Sequence, residues 1–476
     1  MRNNYQLPSL KNAQFRSKER SEIQYDSFEI PSEINEIGKG RQYFLRTYGC
    51  QANERDSETI AGIFELLGYE KADCLEDSDV ILLNTCAIRE NAEDKVFGEL
   101  GALKRLKREN PDLIIGLCGC MAQEEIVMER ILKTYPHIDL VFGTHNIHQL
   151  PKLLSQVVLQ KEKSIEIFSK EGAVIENLPV KRFGSHKAWV NIMYGCDKFC
   201  TYCIVPYTRG KERSRLAVDI LDEINQLVIA GYKEVTLLGQ NVNAYGKDLE
   251  EDCNLALLLE KVAKTGIPRI KFTTSHPWDF TEELVDVIAT NSNIMPAFHL
   301  PVQSGNNEVL KKMGRRYTVE EYKHIFDLLR KRIPDCTFTT DIIVGFPDET
   351  KNQFEDTLAL YDYCGFDSAF TFIFSPRAGT PAAKMDDSIS SDEKKERLRL
   401  LNEKVAHYSR ISNQRYLGKE VLVLVDGPSK KEKSVFSGYT EHNKLVNFKP
   451  KKATIGNIVR VKITQVKSWS LDGEEV

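Results

Sequence analysis

The sequence lacks a hydrophobic run long enough to cross a membrane, since no apolar stretch approaches the roughly 18 residues of a spanning helix. Residues 1–40 also lack the apolar core of a signal peptide, so we expect the protein to remain in the cytoplasm. Cysteines are kept reduced in the cytoplasm. The eleven cysteines of this chain therefore predict metal ligation or catalysis and not a disulfide framework.

A strong excess of charge of one sign is also missing. The net charge is −4, so the chain as a whole does not have the basic character of a nucleic-acid-binding protein. The basic residues are unevenly distributed, however, because residues 412–470 contain twelve Lys or Arg and four Asp or Glu, a net charge of +8. The length of 476 residues, with 41% hydrophobic and 28% charged residues, is typical of a soluble protein of roughly three domains.

What the sequence does contain is a cysteine-rich loop at 195–203, Gly-Cys-Asp-Lys-Phe-Cys-Thr-Tyr-Cys. Cys196, Cys200 and Cys203 stand four and then three residues apart, so one loop can direct three thiolates at a single group. Three thiolates are one ligand short of a closed zinc or iron–sulfur site. The spacing thus predicts a metal centre with an open coordination position. The alternatives are a zinc knuckle or three unrelated buried thiols.

Strand-like and helical runs alternate between residues 41 and 160, which predicts a parallel, doubly wound sheet. Cys50, Cys86 and Cys120 each follow one of the predicted strands, at the edge where open α/β sheets bind ligands. We therefore expect a second three-cysteine site with an open position. The alternative is three small apolar residues at strand ends. The predicted strands are 43–47, 80–84, 113–117 and 140–142, and the predicted helices are 54–67, 90–109 and 123–135.

Residues 188–411 contain six further strand–helix units, which predict a partial (β/α)6 barrel whose working face lies at the carboxyl ends of the strands. Residues 1–40 are interpreted as a polar extension and residues 161–187 as a linker. Candidates for polar contacts or for packing beside a cofactor lie at the working face, although each could also be a structural loop cap or a core residue. These candidates are Tyr202, Gln240, Asn241, Ser304 and Asp341. The predicted strands of the barrel are 189–192, 235–238, 271–274, 297–300, 337–344 and 369–374.

Residues 412–476 have the short, β-rich runs of a small antiparallel barrel. Tyr439, Phe448 and Trp469 are interleaved with its basic residues, a composition that suits an RNA backbone with unstacked bases. The alternative is a solvated basic surface on a domain that only caps the larger barrel. Candidate RNA contacts are Arg209, Lys211, Arg213, Arg215, Lys451 and Lys452. The first four occupy every second position from 209 to 215. The alternative for these four is a solvated strand or turn.

The loop 195–203 on a β/α barrel resembles the cluster loop of radical S-adenosylmethionine enzymes. Residues 47–53, 84–89 and 118–123, together with the basic terminal barrel, narrow the resemblance to the methylthiotransferases. It covers roughly residues 41–470, in the order methylthiotransferase domain, radical core and TRAM domain.

Within that family, Thr-Tyr-Gly-Cys-Gln at 47–51 and Val-Pro-Tyr-Thr-Arg-Gly-Lys at 205–211 are most similar to the tRNA 2-methylthio-N6-isopentenyladenosine synthases. The chain departs from their pattern in its long leader and in Ala52, where Met is common. Neither departure affects a predicted ligand.

The resemblance implies two [4Fe–4S] clusters and S-adenosylmethionine as cofactors. Cys196, Cys200 and Cys203 would hold the cluster that binds and cleaves S-adenosylmethionine, and the other three-cysteine site would hold an auxiliary cluster for sulfur insertion. It implies methylthiolation at C2 of N6-isopentenyladenosine at position 37, in the anticodon loop of a tRNA. It also implies an electron donor such as flavodoxin or ferredoxin, and we expect a monomer. For the chemistry to work, the sheet edge of the first domain must face the mouth of the barrel.

Two kinds of alternative remain. The same machinery could act on threonylcarbamoyl-adenosine in tRNA or on an aspartate of a ribosomal protein. Alternatively, the chain could be a non-catalytic iron–sulfur or zinc RNA-binding protein in which the cysteines only stabilise the fold.

Overall fold

The computed structural model describes residues 5–14, 23–87, 90–273 and 275–476. Part of the predicted extension 1–40, the last two residues of the 84–89 motif and the last residue of the predicted strand 271–274 lie outside the described residues. Within the described part of the extension are a short helix, α1 (Leu10–Gln14), and a short strand, β1 (Tyr25–Ser27).

Six parallel strands form the sheet of the N-terminal domain, in the spatial order β3-β2-β4-β5-β6-β7. The central strands are buried along their whole length, as their continuous apolar runs require. Helices α2 and α5 pack on one face, while α3 and α4 pack on the other, so the predicted doubly wound sheet is confirmed. The strands are β2 (Gln42–Thr47), β3 (Glu70–Lys71), β4 (Val80–Thr85), β5 (Ile114–Gly119), β6 (Leu140–Phe142) and β7 (Ser164–Glu166), and the helices are α2 (Gln51–Leu66), α3 (Glu90–Glu109), α4 (Glu125–Thr134) and α5 (Leu150–Gln160).

The segment 161–187, expected to be a linker, carries two strands. One is β7, the edge strand of the N-terminal sheet. The other, β8 (Val174–Glu176), pairs in parallel with β1 of the extension. Edge strands of two or three residues have too few side chains for an alternating pattern to be recognised from sequence.

The central domain is an open barrel of six parallel strands in chain order, flanked by helices. The strands form two three-stranded sheets, β13-β12-β9 and β14-β15-β16. A bridge between Ile270 of β13 and Ile294, in the segment that leads into β14, lies between them. Among the described residues, β16 pairs only with β15, so the barrel is open on one side. Its strands are β9 (Lys187–Asn191), β12 (Glu234–Leu238), β13 (Arg269–Phe272), β14 (Ala297–His299), β15 (Thr337–Val344) and β16 (Ser368–Ile373). After β9, two short strands, β10 (Met193–Tyr194) and β11 (Arg213–Ser214), pair antiparallel at the two ends of the segment 195–212.

The main hydrophobic core fills the space between these strands and the helices around them. No helix among the described residues is both long enough and apolar enough to cross a bilayer. The helices of the central domain are α6 (Val205–Thr208), α7 (Ala217–Ile229), α8 (Leu255–Ala263), α9 (Glu282–Thr290), α10 (Asn307–Lys312), α11 (Val319–Arg332), α12 (Lys351–Cys364) and α13 (Ser391–Gln414).

The C-terminal domain is a closed barrel in the order β17-β18-β19-β21-β20. Four neighbouring pairs are antiparallel, as predicted, and the pair β19–β21 is parallel. This difference has a simple cause: five strands cannot alternate in direction all the way around a closed ring. The strands are β17 (Glu420–Pro428), β18 (Phe436–Thr440), β19 (Leu445–Lys449), β20 (Ile458–Val466) and β21 (Leu471–Glu475).

This C-terminal barrel packs against the amino ends of the central strands, opposite the predicted working face. Arg269, the first residue of β13, donates to the carbonyl oxygens of Tyr439 (2.8 Å) and Leu422 (3.0 Å). Lys187, the first residue of β9, pairs with Asp426 at 2.6 Å. The whole thickness of the central barrel therefore separates this domain from the cysteine loop.

The expectation of exposed aromatic rings on the C-terminal barrel is only partly correct. Phe448 lies in the barrel core, because alternation on β19 turns it inward. Tyr439 is half-buried, and its ring lies 4.9 Å from the ammonium of Lys187. Trp469 is 60% exposed and available to stack on a base.

Candidate active site

The cysteine loop 195–203 is fixed to the carboxyl end of the central barrel by backbone hydrogen bonds. The N–H of Gly195 donates to Oε1 of Gln240, just after β12, at 2.6 Å. The N–H of Thr201 donates to the carbonyl oxygen of Met313, just after α10, at 2.9 Å. Contacts to two separate parts of the barrel hold the loop across its mouth.

The three thiols of this loop lie close enough together for negative charge on one to raise the pKa of another. Burial raises the pKa of Cys196 well above its usual value, and negative charge on Cys203 and Cys200 raises it further. The buried guanidinium of Arg315 donates to Sγ of Cys200 at 3.5 Å and to the carbonyl oxygen of Pro301 at 2.9 Å. A buried cation therefore faces the sulfur atoms and offsets their negative charge.

The second group of thiols lies at the carboxyl edge of the N-terminal sheet. Cys50 caps the start of α2, Cys86 follows β4 and Cys120 follows β5. A hydrogen bond with Cys86 lowers the pKa of Cys50 to about 5, with a further contribution from Arg209. Burial raises the pKa of Cys120 to about 11, and charge on Cys50 adds to that rise. Cys118 is fully buried in the core, in agreement with its position nearer the strand.

A glycine lets two backbone segments approach each other at this second group. Gly49 has a φ of +131°, and a Cβ there would lie 2.5 Å from Cβ and 3.0 Å from Sγ of Cys86. Any larger residue would therefore push Cys86 away from Cys50.

Arg209 reaches from the central domain into the second cysteine group. Its Nε donates to Sγ of Cys120 at 3.0 Å, and its Nη2 lies 3.3 Å from Oδ1 of Asn53. The same Nη2 pairs with Oδ2 of Asp56 at 2.6 Å, and both side chains are 7% exposed. The guanidinium thus contacts a thiol, an amide and a carboxylate of the other domain.

Apolar contacts close the rest of the gap between the two cysteine groups. Ile204, which directly follows Cys203, is buried against Ala87 and Cys120, and Tyr207 packs on the same cluster. The expectation that the sheet edge faces the barrel mouth is therefore confirmed. The segment 204–209 is the physical connection between the two groups.

The donor set suits iron–sulfur clusters. Each group has three thiols, and an arginine N–H is directed at one sulfur of each group. Thiolates are soft ligands, so they bind iron–sulfur clusters or zinc in preference to metals such as magnesium and calcium that prefer oxygen ligands. Among the described residues, no three His, Cys, Asp or Glu side chains are close enough together to bind one metal ion. A cubane needs its thiolates further apart than a single ion does, because each thiolate binds a different iron atom.

The predicted cofactor contacts differ in their accessibility. Tyr202 is half-buried against an apolar cluster, and Gln240 supports the cysteine loop. Asn241 is buried, and its Nδ2 donates to Glu212 and Asp279 at 3.0 Å each. Asp341 is half-buried on the inner wall of the barrel.

Ser304, predicted as a polar contact to the cofactor, lies between a loop and a helix. It is fully buried, and its hydroxyl lies 3.4 Å from that of Thr357 on α12, so it fixes a loop to a helix.

Two of the six predicted RNA contacts lie buried in ion pairs. Arg209 is buried between the domains, as described above. Arg215 is buried in ion pairs with Glu176 (2.7 Å) and Glu223 (2.6 Å). Both guanidinium groups are paired with carboxylates of other segments. Lys211 and Arg213 are half-buried, while Lys451 and Lys452 are exposed on the C-terminal barrel.

An ion-pair network joins the N-terminal and central domains beside this site. Glu223 on α7 accepts from Arg55 of the N-terminal domain (3.3 Å), Arg182 of the connecting segment (2.6 Å) and Arg215 (2.6 Å). The three cations lower the pKa of Glu223 to about 2, although burial acts in the opposite direction. A cavity of about 560 Å³ lies along this network.

Three residues of the site were not among the residues predicted from the sequence. Asn53 and Asp56 stand three positions apart on α2, so they share a helix face just after Cys50, and this spacing could have identified them. Arg315 lies between two helices in no recognisable motif, and only the fold shows that it faces Cys200.

Three family models match the chain in the same order as its domains. A model described as uncharacterized protein family UPF0004 matches residues 42–143, the radical SAM superfamily matches residues 190–361, and the TRAM domain matches residues 414–476. A protein of Bacillus pumilus (strain SAFR-032), tRNA-2-methylthio-N(6)-dimethylallyladenosine synthase, is 59% identical over 99% of this chain and 93% of its own length. A protein of the same name from Staphylococcus aureus (strain MRSA252) is 56% identical over 99% and 92%.

Solved structures show the same fold at low identity. The radical S-adenosylmethionine methyltransferase TsrM from Kitasatospora setae, with cobalamin and a [4Fe-4S] cluster bound, has a TM-score of 0.52 at 15% identity over 72% of this chain and 77% of its own. The same enzyme with tryptophan and aza-SAM bound has a TM-score of 0.51 at 14% identity, over 70% and 73%. These likenesses concern the chain path and not the substrate.

Proposed function

The chain belongs to the tRNA-2-methylthio-N(6)-dimethylallyladenosine synthase family of radical S-adenosylmethionine methylthiotransferases, and from that membership we propose its reaction and the roles of its residues. It is an enzyme that inserts sulfur and transfers a methyl group at C2 of N6-dimethylallyladenosine, at position 37 of tRNA. The observation that carries the assignment is the junction of two three-cysteine groups through Arg209 and Ile204.

Each cysteine group holds one [4Fe–4S] cluster. Cys196, Cys200 and Cys203 hold the cluster that binds S-adenosylmethionine, and Cys50, Cys86 and Cys120 hold the auxiliary cluster. When bound, these groups supply reductive cleavage of S-adenosylmethionine and the sulfur for insertion, which is chemistry that protein side chains cannot provide.

The protein's side chains position the two clusters and exclude water from the space between them. Arg315 and Arg209 each donate an N–H to a ligand sulfur and place a fixed positive charge beside it. Ile204, Ala87 and Tyr207 form an apolar contact where the two domains meet. Tyr202, Gln240, Asn241 and Asp341 are the proposed contributors to the pocket for S-adenosylmethionine, with Gln240 and Asn241 acting through the loops they support.

The C-terminal barrel holds the tRNA. Lys451 and Lys452 are exposed and contact phosphates, and Lys211 and Arg213 extend the contact toward the barrel mouth. Since this barrel packs on the amino ends of the central strands, the RNA must run along the side of the molecule to bring its anticodon loop to the mouth. The target adenosine leaves its stack to enter.

The enzyme has three domains, an N-terminal extension and a connecting segment. Its domains are 41–160, 188–411 and 412–476, with the extension 1–40 and the connection 161–187. The enzyme works as a cytoplasmic monomer and receives electrons from a flavodoxin or ferredoxin.

Mass spectrometry of tRNA from a strain lacking the gene tests the function. We expect 2-methylthio-N6-dimethylallyladenosine to disappear and its precursor to accumulate, with restoration by the intact gene. An unchanged level would contradict the assignment. Loss of a methylthio group from threonylcarbamoyl-adenosine, or from a ribosomal protein, would instead identify the corresponding alternative substrate.

A further inference from the structure

Two phenylalanine rings lie uncovered on the inner wall of the central barrel. On β16, Ala369 and Ile373 pack against the main core, and the hydroxyl of Thr371 donates to Asn402 of α13 at 2.6 Å. Because side chains alternate along a strand, Phe370 and Phe372 point to the opposite face, into the barrel. Phe370 is 59% exposed and Phe372 is 46% exposed.

A polar pair borders these rings on the neighbouring strands. The imidazole of His299 on β14 lies edge-on to the Phe370 ring, with 6.0 Å between centroids. Its Nδ1 lies 3.0 Å from the hydroxyl of Thr339, and its Nε2 lies 3.5 Å from Oδ2 of Asp341. The inner wall therefore combines an apolar strip with hydrogen-bonding groups at its edge, the composition of a small-molecule site.

The strip is open to a ligand from outside. Among the described residues the far edge of β16 has no partner strand, so the rings line the lateral opening of the barrel. Single exposed apolar side chains are common, but two on one concave wall beside a polar pair indicate that a ligand covers them.

We propose that Phe370 and Phe372 bind the N6-dimethylallyl group of the target adenosine, with His299 at the edge of its adenine; this rests on the proposed function. The dimethylallyl group is a branched five-carbon hydrocarbon and gains from burial against aromatic rings. S-adenosylmethionine suits the strip less well, since its charged sulfonium, amine and carboxylate require polar partners.

The test compares two anticodon stem-loop RNAs of the same sequence, one with N6-dimethylallyladenosine and one with plain adenosine. Dissociation constants are measured for the reconstituted full-length enzyme and for the Phe370→Ala/Phe372→Ala variant. We expect the wild type to prefer the dimethylallyl RNA by about tenfold or more, and the variant to prefer it by less than about twofold.

Phe183→Ala is the matched control, because that ring is 48% exposed and lies outside the barrel. It should retain the wild-type preference. Affinity for S-adenosylmethionine is measured in parallel and should be retained by the double variant. Since the mutated rings are exposed, thermal unfolding should change little.

The outcomes separate this inference from the function on which it rests. A double variant that keeps the preference would overturn the inference and leave the function intact. Loss of affinity for S-adenosylmethionine with the RNA preference retained would assign the strip to that cofactor and also overturn it. A wild-type enzyme that neither prefers nor methylthiolates the dimethylallyl RNA would instead contradict the proposed function.

Discussion

Nε of Arg209 lies 3.0 Å from Sγ of Cys120, although the two residues stand 89 positions apart and belong to different domains. The same guanidinium pairs with Asp56, and all three side chains are buried. Arginine stays protonated in proteins, so this contact is a permanent positive charge beside the sulfur of a proposed cluster ligand. It links the docking of the two domains to the environment of the auxiliary cluster.

Replacing Arg209 with Gln should lower the reduction potential of the auxiliary cluster. The change removes a positive charge and an N–H donor that both stabilise the more negative, reduced state. It also leaves Asp56 buried without its cation, which should cost about 3–5 kcal/mol of stability. An EPR-monitored redox titration and thermal unfolding measure the two effects.

Arg213→Gln is the control for this change, since Arg213 is half-buried and donates to the carbonyl oxygen of Gly172. The double variant Arg209→Gln/Asp56→Asn should recover part of the lost stability. An auxiliary potential equal to that of the wild type in Arg209→Gln would show that Arg209 only joins the domains.

Two cysteine substitutions should separate the roles of the clusters. Cys200→Ala should abolish both formation of 5′-deoxyadenosine and modification of tRNA, because it removes a ligand of the cluster that binds S-adenosylmethionine. Cys86→Ala should retain cleavage of S-adenosylmethionine and lose sulfur insertion. The reconstituted enzyme is incubated with S-adenosylmethionine, tRNA and dithionite. Chromatography then measures the 5′-deoxyadenosine formed, and mass spectrometry measures the modified base.

Iron content distinguishes loss of a cluster from loss of the fold in these variants. Each should contain about half of the wild-type iron, since one of two four-iron clusters is removed. Cys364→Ala, a buried thiol remote from both groups, should retain full iron content. Intact methylthiolation in Cys86→Ala would show that the auxiliary assignment is wrong.

Most of the fold and both cysteine groups could be predicted because their signals are local. A short apolar run such as Val80–Thr85 predicts a central strand, and the end of each parallel strand then places its cysteine at one edge of the sheet. The partners of charged residues could not be predicted. The basic residues at every second position from 209 to 215 are typical of an exposed strand. In the structure, however, Arg209 and Arg215 are buried in ion pairs with carboxylates that are distant in sequence.

Replacing Lys451 and Lys452 with Ala should weaken tRNA binding and reduce its salt dependence. Each lost phosphate contact should decrease the slope of log K against log salt by about 0.7–0.9. Binding measured between low and moderate salt gives the slope. Lys395→Ala on α13, an exposed lysine beside Asp392, is the control and should leave the slope unchanged. An unchanged slope in the double variant would place the phosphates elsewhere.

Glu223 should make the stability of the domain interface depend on pH. Its pKa is lowered from the usual 4.5 to about 2, so its contribution to folding is complete above pH 4.5 and is lost as pH falls toward 2. The lowering corresponds to about 3 kcal/mol at neutral pH. Glu223→Gln should therefore be less stable than the wild type at pH 7, and the difference should shrink steadily below pH 4.5.

Thermal or urea unfolding across this pH range measures the difference in stability between wild type and Glu223→Gln. Because both proteins contain the other carboxylates, the effect of those groups cancels in the comparison. Glu260→Gln is the control, because Glu260 on α8 forms an exposed pair with Lys264 and its replacement should change stability little at any pH. A constant difference between wild type and Glu223→Gln from pH 7 to pH 3 would mean that the glutamate acts through packing alone. If the stabilities of wild type and Glu223→Gln instead converge as the pH falls, the charge of Glu223 is what stabilises the interface. That charge is paired with Arg55, Arg182 and Arg215, so it holds the N-terminal sheet against the barrel and keeps the two cysteine groups facing each other.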